Sequence, residues 1–291
     1  MKRFIIMMLA ISLFTLLWSQ KRPEVIDSRR HMVINENEEY FKDTAMDVYI
    51  PELSKGKCII LKLPGEEWVL IDCGSSEDFP AVYESLRNLG VHIIDFIVFT
   101  SSKESSLGGT DKILSNFEVC RIYCSADMEN TKEYDRLKLL SLQNDVILSL
   151  TDEGARLYDF DDVCIDVVCR EKYSLGKEVN SISMYIIYGK RALFVKGECD
   201  IETEAKMAAE LKNSIESDIL IMSDVNMATA HSRYFIEEVN ADFLAIPAYE
   251  VEAVGEEVGE NCPGAEILRT DLNGDIAFNI SEKEVKVKIE R

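Results

Sequence analysis

The stretch VFTSSKESSLGG, Val98 to Gly109, constrains this chain more than any other. An apolar run, IIDFIVFT, passes into a polar loop that closes on a Gly pair. A run that is apolar throughout is a strand buried on both faces, which requires a sheet covered on each side. Loops at the ends of such strands commonly carry reactive groups. This loop holds serines, Lys103 and Glu104, with no His and no Cys.

The flanking sequence extends the pattern. KCIILKL and EWVLID, joined by Pro64-Gly65, predict two strands. Val82, Leu86 and Leu89 at helical spacing before Gly90 predict a helix. A short helix is expected from Gly108-Gly109, then a strand at VCRIYCS and a helix over 129–142. Short strands are expected near 145–150, 155–159 and 162–169, followed by a hairpin from SISMYIIYG to RALFVKG turning at Gly189-Lys190. DIETEAKMAAELKNSIES is an amphipathic helix, with Ala, Met, Leu and Ile on one face. DILIMS and DFLAIPA read as strands on either side of a helix at SRYFIEEVN. AEILRT and GDIAFNI read as a hairpin around the turn from Asp271 to Asp275, before a final strand, EVKVKI. Many strands mixed with helices predict an α/β (α+β) chain whose sheets are covered by helices.

Charge and the N-terminus bound the function. Lys and Arg total 32 against 53 Asp and Glu, a net charge of -21. That field repels phosphate backbones and anionic lipid, so the bulk surface is not expected to hold nucleic acid. Lys2 and Arg3 precede an apolar run from Phe4 to Trp18. The run matches a signal peptide's apolar region better than a full span of about 20 residues. Residues 1–20 are therefore expected to be a signal peptide or an uncleaved membrane anchor, and residues 21–45 a linker. Either leader implies a protein secreted or held at the cell membrane. Of eight cysteines, Cys58, Cys73, Cys120, Cys164 and Cys169 lie in or beside apolar strand-like runs, where Cys is expected to be a small buried hydrophobe. There is no CxxC, and the Cys120/Cys124 pair has no His-bearing partner motif, so no zinc-cysteine site is expected.

The order LIDCG, helix, GVHIIDFIVFTSSKESSLGG, FEVCRIY resembles the metallo-β-lactamase fold, and more narrowly the hydrolase-like domain of DNA-internalisation competence proteins. NSIS followed by YGKRALFVKGE, and later DILIMSD, FIEEVNADFLAIPA and GAEILRTDLNGDI, are similar to that group in order and spacing. The resemblance covers residues 46–291 and implies a metallo-β-lactamase-like αββα sandwich with its site where strand ends meet. Laid on the family's Thr-His-x-His-x-Asp-His-x-Gly-Gly loop, Thr100, Gly108 and Gly109 match, while the metal-ligand positions fall on Ser101, Lys103, Ser105 and Ser106. The family's bridging Asp falls on Glu198 and its later His on or beside Asp224. Hydroxyls and a protonated amine are poor ligands for zinc, so zinc is expected to be absent and no catalytic residue is assigned.

Lys103 is expected either to offset Glu198 and Asp224 in the old pocket or to lie solvated at its mouth with them. Asp72 is read as structural support, accepting backbone N–H bonds from the neighbouring loop, and the Gly pair as close packing of a helix on the sheet. A Ser pairing with His231, or a hard cation held by Glu104, Glu198 and Asp224, are alternatives, with an exposed helix-start histidine the ordinary reading of His231. The leading expectation is a pseudoenzyme that binds a partner protein or a small ligand. The competing ones are a phosphodiesterase or esterase with a non-standard metal site, and an accessory part of a competence-type DNA-uptake system.

Overall fold

A computed structural model describes residues 45–174, 176–222, 231–247 and 264–291. All of these fall in one unit, Asp43–Arg291. The leader at 1–20, nearly all of the linker, Cys262 and Asp224 lie outside the described residues. Among the described residues no helix is long and apolar enough to cross a membrane.

Among the described residues, eight strands make the first sheet. Met46–Ile50 (β1), Ile59–Lys62 (β2), Trp68–Ile71 (β3), Ile93–Val98 (β4), Glu118–Ser125 (β5) and Ile147–Thr151 (β6) lie in chain order, and Ile276–Ile280 (β14) and Val285–Ile289 (β15) extend it beyond β1. The second sheet has seven strands among the described residues. They run from Arg156–Phe160 (β7) through Val163–Ser174 (β8), Lys177–Tyr188 (β9), Arg191–Lys196 (β10), Ile219–Met222 (β11) and Phe243–Ile246 (β12) to Glu266–Arg269 (β13). Strands β3 to β6 pair in parallel, so β4 is buried at a sheet centre, as its apolar run requires.

Three apolar clusters define four layers. Val48, Leu61, Val69 and Val98 of the first sheet meet Ile165, Met184, Leu193 and Ile221 of the second between the sheets. On the outer face of the first sheet, Ile60, Leu70 and Ile97 pack with residues from Phe79–Asn88 (α1), Thr110–Asn116 (α3) and Lys132–Gln143 (α4). On the outer face of the second, Phe194, Leu220 and Leu244 pack with residues from Ile201–Leu211 (α5) and Arg233–Val239 (α6). A single-turn helix, Glu104–Leu107 (α2), lies within the polar loop itself. The result is an αββα sandwich.

Three sequence expectations are corrected. Residues up to 45 carry no strand pattern and the first expected strand is KCIILKL, yet β1 precedes it and pairs with both β2 and β14. AEILRT and GDIAFNI do not form a hairpin: β13 pairs with β12 in the second sheet, a single turn of helix at Thr270–Asn273 (α7) follows, and β14 pairs with β1 in the first. The DLNGD sequence turns the chain between layers instead of folding two strands onto one another. Cys120 is exposed, because strand alternation puts it on the opposite face from its buried neighbours, whereas Cys58, Cys73 and Cys169 are buried and Cys164 is half-buried. Cys58, Cys73, Cys124, Cys164, Cys169 and Cys199 are free thiols. Burial pushes the thiols of Cys124, Cys169 and Cys199 up to about 12, which leaves them unreactive.

Candidate functional site

The C-terminal ends of β3 and β4 and the end of β10 converge. Asp72 follows β3 with φ 61°, a left-handed backbone that Asp tolerates better than most residues. Its amide donates to Val98 O at 3.0 Å, which pins the end of β3 to the end of β4. Its carboxylate then turns to the polar loop. Oδ1 accepts the Thr100 amide at 2.8 Å, and Oδ2 accepts the Thr100 hydroxyl. Asp72 is 1% exposed, and burial pushes its carboxyl above the ordinary range, against the charge of Lys57 and the Thr100 hydrogen bonds. Asp72 therefore holds the loop by accepting a backbone N–H.

The loop is held from its other side by β9. Thr100 O accepts the Ile182 amide at 3.1 Å and the Ser181 hydroxyl at 2.8 Å. The Ser102 amide donates to Val179 O at 3.0 Å. The same Ser181 oxygen accepts the Glu198 amide at 2.7 Å, so one serine ties the polar loop to the segment that follows β10. Ser101 and Ser106 are buried and Ser105 is half-buried. Each makes a local contact: Ser101 Oγ accepts the Lys103 amide at 3.1 Å, Ser105 O accepts the Lys57 amide at 3.0 Å, and Ser106 O accepts the Cys73 amide at 2.8 Å.

The Gly pair permits close approach. A Cβ on Gly109 would lie 2.4 Å from Cys73 O, and one on Gly108 would lie 2.5 Å from the Ser76 amide nitrogen. Both glycines have ordinary helical φ, so space and not backbone freedom selects them. Gly109→Ala is expected to cost about 1–3 kcal/mol by forcing α3 off the β3 end. Urea unfolding of that variant beside Gly90→Ala, which has open space around its Cβ but φ +76°, separates crowding from backbone strain.

Glu198 is the centre of the arrangement. Its side chain is only 5% exposed, and each of its two oxygens faces an ammonium group. Oε2 pairs with Lys103, whose side chain is 42% exposed, and Oε1 lies 3.6 Å from Lys57 Nζ. Lys57 is itself buried and also lies 4.0 Å from Asp72 Oδ2. Among the described residues, two cations and two carboxylates thus offset one another, with Lys57, Asp72 and Glu198 buried and Lys103 reaching solvent. The sequence leaves Lys103 either paired with Glu198 and Asp224 or solvated with them at the loop mouth; Lys103 pairs with Glu198, Asp224 is outside the described residues, and Lys57 is a partner that the sequence does not single out. Its only signal there is a lysine entering a strand, KCIILKL, that is otherwise buried.

Glu104 does not join Glu198; its Oε1 accepts the Ser76 amide at 3.3 Å. Among the described residues, no three His, Cys, Asp or Glu side chains converge so as to hold a metal ion. His231 forms no hydrogen bond with the loop serines. It corrects the expectation of an exposed helix-start histidine: its side chain is 10% exposed and its Nδ1 lies 2.7 Å from Glu204 Oε1. Glu204, in α5, also pairs with Lys196 Nζ at 3.0 Å and accepts the Ser232 amide at 2.6 Å. Lys196 and Glu204 are essentially inaccessible, at 0% and 1%. Burial alone would raise the Glu204 carboxyl, but the His231 hydrogen bond, Lys196 and the Ser232 amide together hold it below the ordinary range. This second buried charge cluster joins the end of β10, two residues before Glu198, to α5 and to the start of α6.

Comparison with known proteins agrees on the fold. No family model matches the chain. The metallo-β-lactamase fold protein YhfI from Bacillus subtilis superposes with a TM-score of 0.56 at 12% identity, over 77% of this chain and 96% of that one. Zn(2+)-bound PqqB from Methylobacterium extorquens gives 0.55 at 12%, over 77% and 97%. Igni18, a metallo hydrolase from Ignicoccus hospitalis, gives 0.53 at 13%, over 81% and 100%. Among curated proteins, Competence protein ComA from Neisseria gonorrhoeae is 23% identical over 40% of this chain, which spans only 18% of that protein. The chain has the metallo-β-lactamase fold, and the weak sequence likeness is to a competence protein.

Proposed function

We propose that this chain is a non-catalytic member of the metallo-β-lactamase fold that acts by binding. The observation that carries the reading is the pair of ammonium groups on Glu198. The position that resembles the family's metal-bridging carboxylate has a lysine nitrogen against each oxygen. The loop positions resembling metal ligands are Ser101, Lys103, Ser105 and Ser106. A zinc pair does not fit this donor set: hydroxyls bind it poorly, and two fixed positive charges repel it. The lysines supply what Glu198 would otherwise lack, since a buried carboxylate without partners is costly.

The site of action is the cell surface, supported by the basic residues and apolar run of the first twenty positions. The likeness to a competence protein favours a second reading, an accessory component of a DNA-uptake assembly whose partner is a membrane protein and not DNA itself. The net charge of -21 supports that limit.

The test uses the purified full chain. Expected are metal well below one equivalent and no turnover of bis(p-nitrophenyl) phosphate or p-nitrophenyl acetate with added Mn²⁺, Zn²⁺ or Mg²⁺. Stoichiometric metal together with turnover that is lost in Glu198→Ala overturns the reading.

A further inference from the structure

We infer that a cleft beside the lysine-filled pocket binds a small zwitterion, a free amino acid with an aliphatic body. The cleft has a volume of about 230 Å³ and lies between the polar loop and α4. Ser102, Glu104 and Leu107 form one wall, and Lys132, Glu133, Arg136 and Leu137 the other.

Its chemistry is specific in three respects. Leu107 and Leu137 are 5% and 2% exposed and give the cleft an apolar floor. Lys132 and Arg136 stand one helical turn apart on α4, so both cations face the same opening. Two carboxylates, Glu104 and Glu133, complete the rim. Among the described residues neither Lys132 nor Glu133 has an ion-pair or hydrogen-bond partner for its charged group, and Arg136 has only a loose pair with Asp111 at 3.7 Å. The rim thus offers separate positive and negative groups over an apolar base.

A ligand carrying both an anionic and a cationic group satisfies both halves of the rim, and one with a short aliphatic chain packs along the methylene stems of Lys132 and Arg136 above the leucines. A purely anionic ligand would meet two carboxylates at the rim and the net charge of -21 beyond it. A purely cationic one would meet the lysine and the arginine. A zwitterion has no net charge, so the global field does not repel it. The cleft is smaller than drug-sized pockets of about 300 Å³ and above, which favours a single residue over a longer peptide.

The experiment is calorimetric titration of the full chain with free L-leucine, 4-methylpentanoate, isoamylamine and inorganic phosphate. Leucine is expected to bind saturably, and 4-methylpentanoate and isoamylamine at least about tenfold more weakly, each having lost one charge-assisted contact. Arg136→Ala is expected to weaken leucine toward the affinity of isoamylamine, Lys132 keeping part of the carboxylate contact, and Glu133→Ala toward that of 4-methylpentanoate, Glu104 keeping part of the ammonium contact. Both substitutions are on an exposed helix face, and unchanged helix content by circular dichroism establishes that the variants fold. Absence of saturable leucine binding, equal binding of 4-methylpentanoate, or tighter binding of phosphate overturns the inference. None of these outcomes depends on whether the neighbouring pocket takes metal.

Discussion

Replacing Glu204 with Ala is expected to cost about 3–5 kcal/mol of folding stability. Three groups lose this carboxylate at once: the fully buried Lys196 ammonium, the His231 ring nitrogen and the Ser232 amide. An ammonium stripped of its counter-charge in the interior is the dominant cost. Lys196→Met should cost less, because Glu204 keeps His231 and Ser232, and the added apolar volume fits beside Phe194 and Met207 in the outer core. Urea unfolding at neutral pH gives both values. Equal losses in the two variants, or a loss below about 1 kcal/mol for Glu204→Ala, would remove the claim that this cluster is a closed electrostatic unit.

The pH dependence follows from the same carboxylate. Glu204 has a folded pKa below its ordinary 4.5, so the unfolded chain takes up the proton first as acid is added. Its stabilisation is complete above pH 4.5 and is lost as pH falls through the folded value. In Glu204→Gln that acid-side decline should be shallower than in the unmodified protein.

Asp72→Ala is expected to cost about 3 kcal/mol, by leaving the Thr100 amide and hydroxyl unsatisfied and by removing one of the two carboxylates that face Lys57. Asp72→Asn should cost much less, because an amide oxygen can still accept the Thr100 amide while the burden of a buried charge disappears. The pH effect here has the opposite sign to that of Glu204. The folded pKa of Asp72 is raised above 3.8, so the unfolded form ionises first as pH rises. Stability contributed by this group therefore falls with increasing pH from 3.8 through the folded value. Asp72→Asn should abolish that decline, which paired acid titrations of unfolding would reveal. If Asn proves as damaging as Ala, charge and not hydrogen bonding is what Asp72 supplies.

The parts of the molecule legible in the sequence are those set by local pattern. The buried β4 strand, its polar loop and the Gly pair stand in an unbroken stretch, and apolar runs of this kind are decided by burial within a few residues. That Lys103 and Glu198 could share a pocket is legible from their resemblance to a metal motif, but whether they pair or stay solvated there is not, because that depends on the side chains around them. The remainder depends on contacts between distant segments. Lys57 enters the pocket because its amide donates to Ser105 O and its carbonyl accepts the Gly74 amide; neither bond has a sequence signature. Lys196 ends an apolar strand, RALFVK, and such a lysine invites the solvated reading until α5 and α6 are seen to close over it. β13 and β14 carry the spacing of a hairpin, and only the identity of their neighbours, β12 and β1, shows that they lie in different sheets.

That division of β13 and β14 sets the order in which the protein can be made. β1 takes one of its two neighbours from β14, with Met46 opposite Ile280, so a strand synthesised early must wait for one synthesised late. Pairing at such separation is slow, and until it forms the first sheet has an open margin at Met46–Ile50. A nascent chain of this topology stays incompletely folded until the segment beyond β13 has emerged from the ribosome.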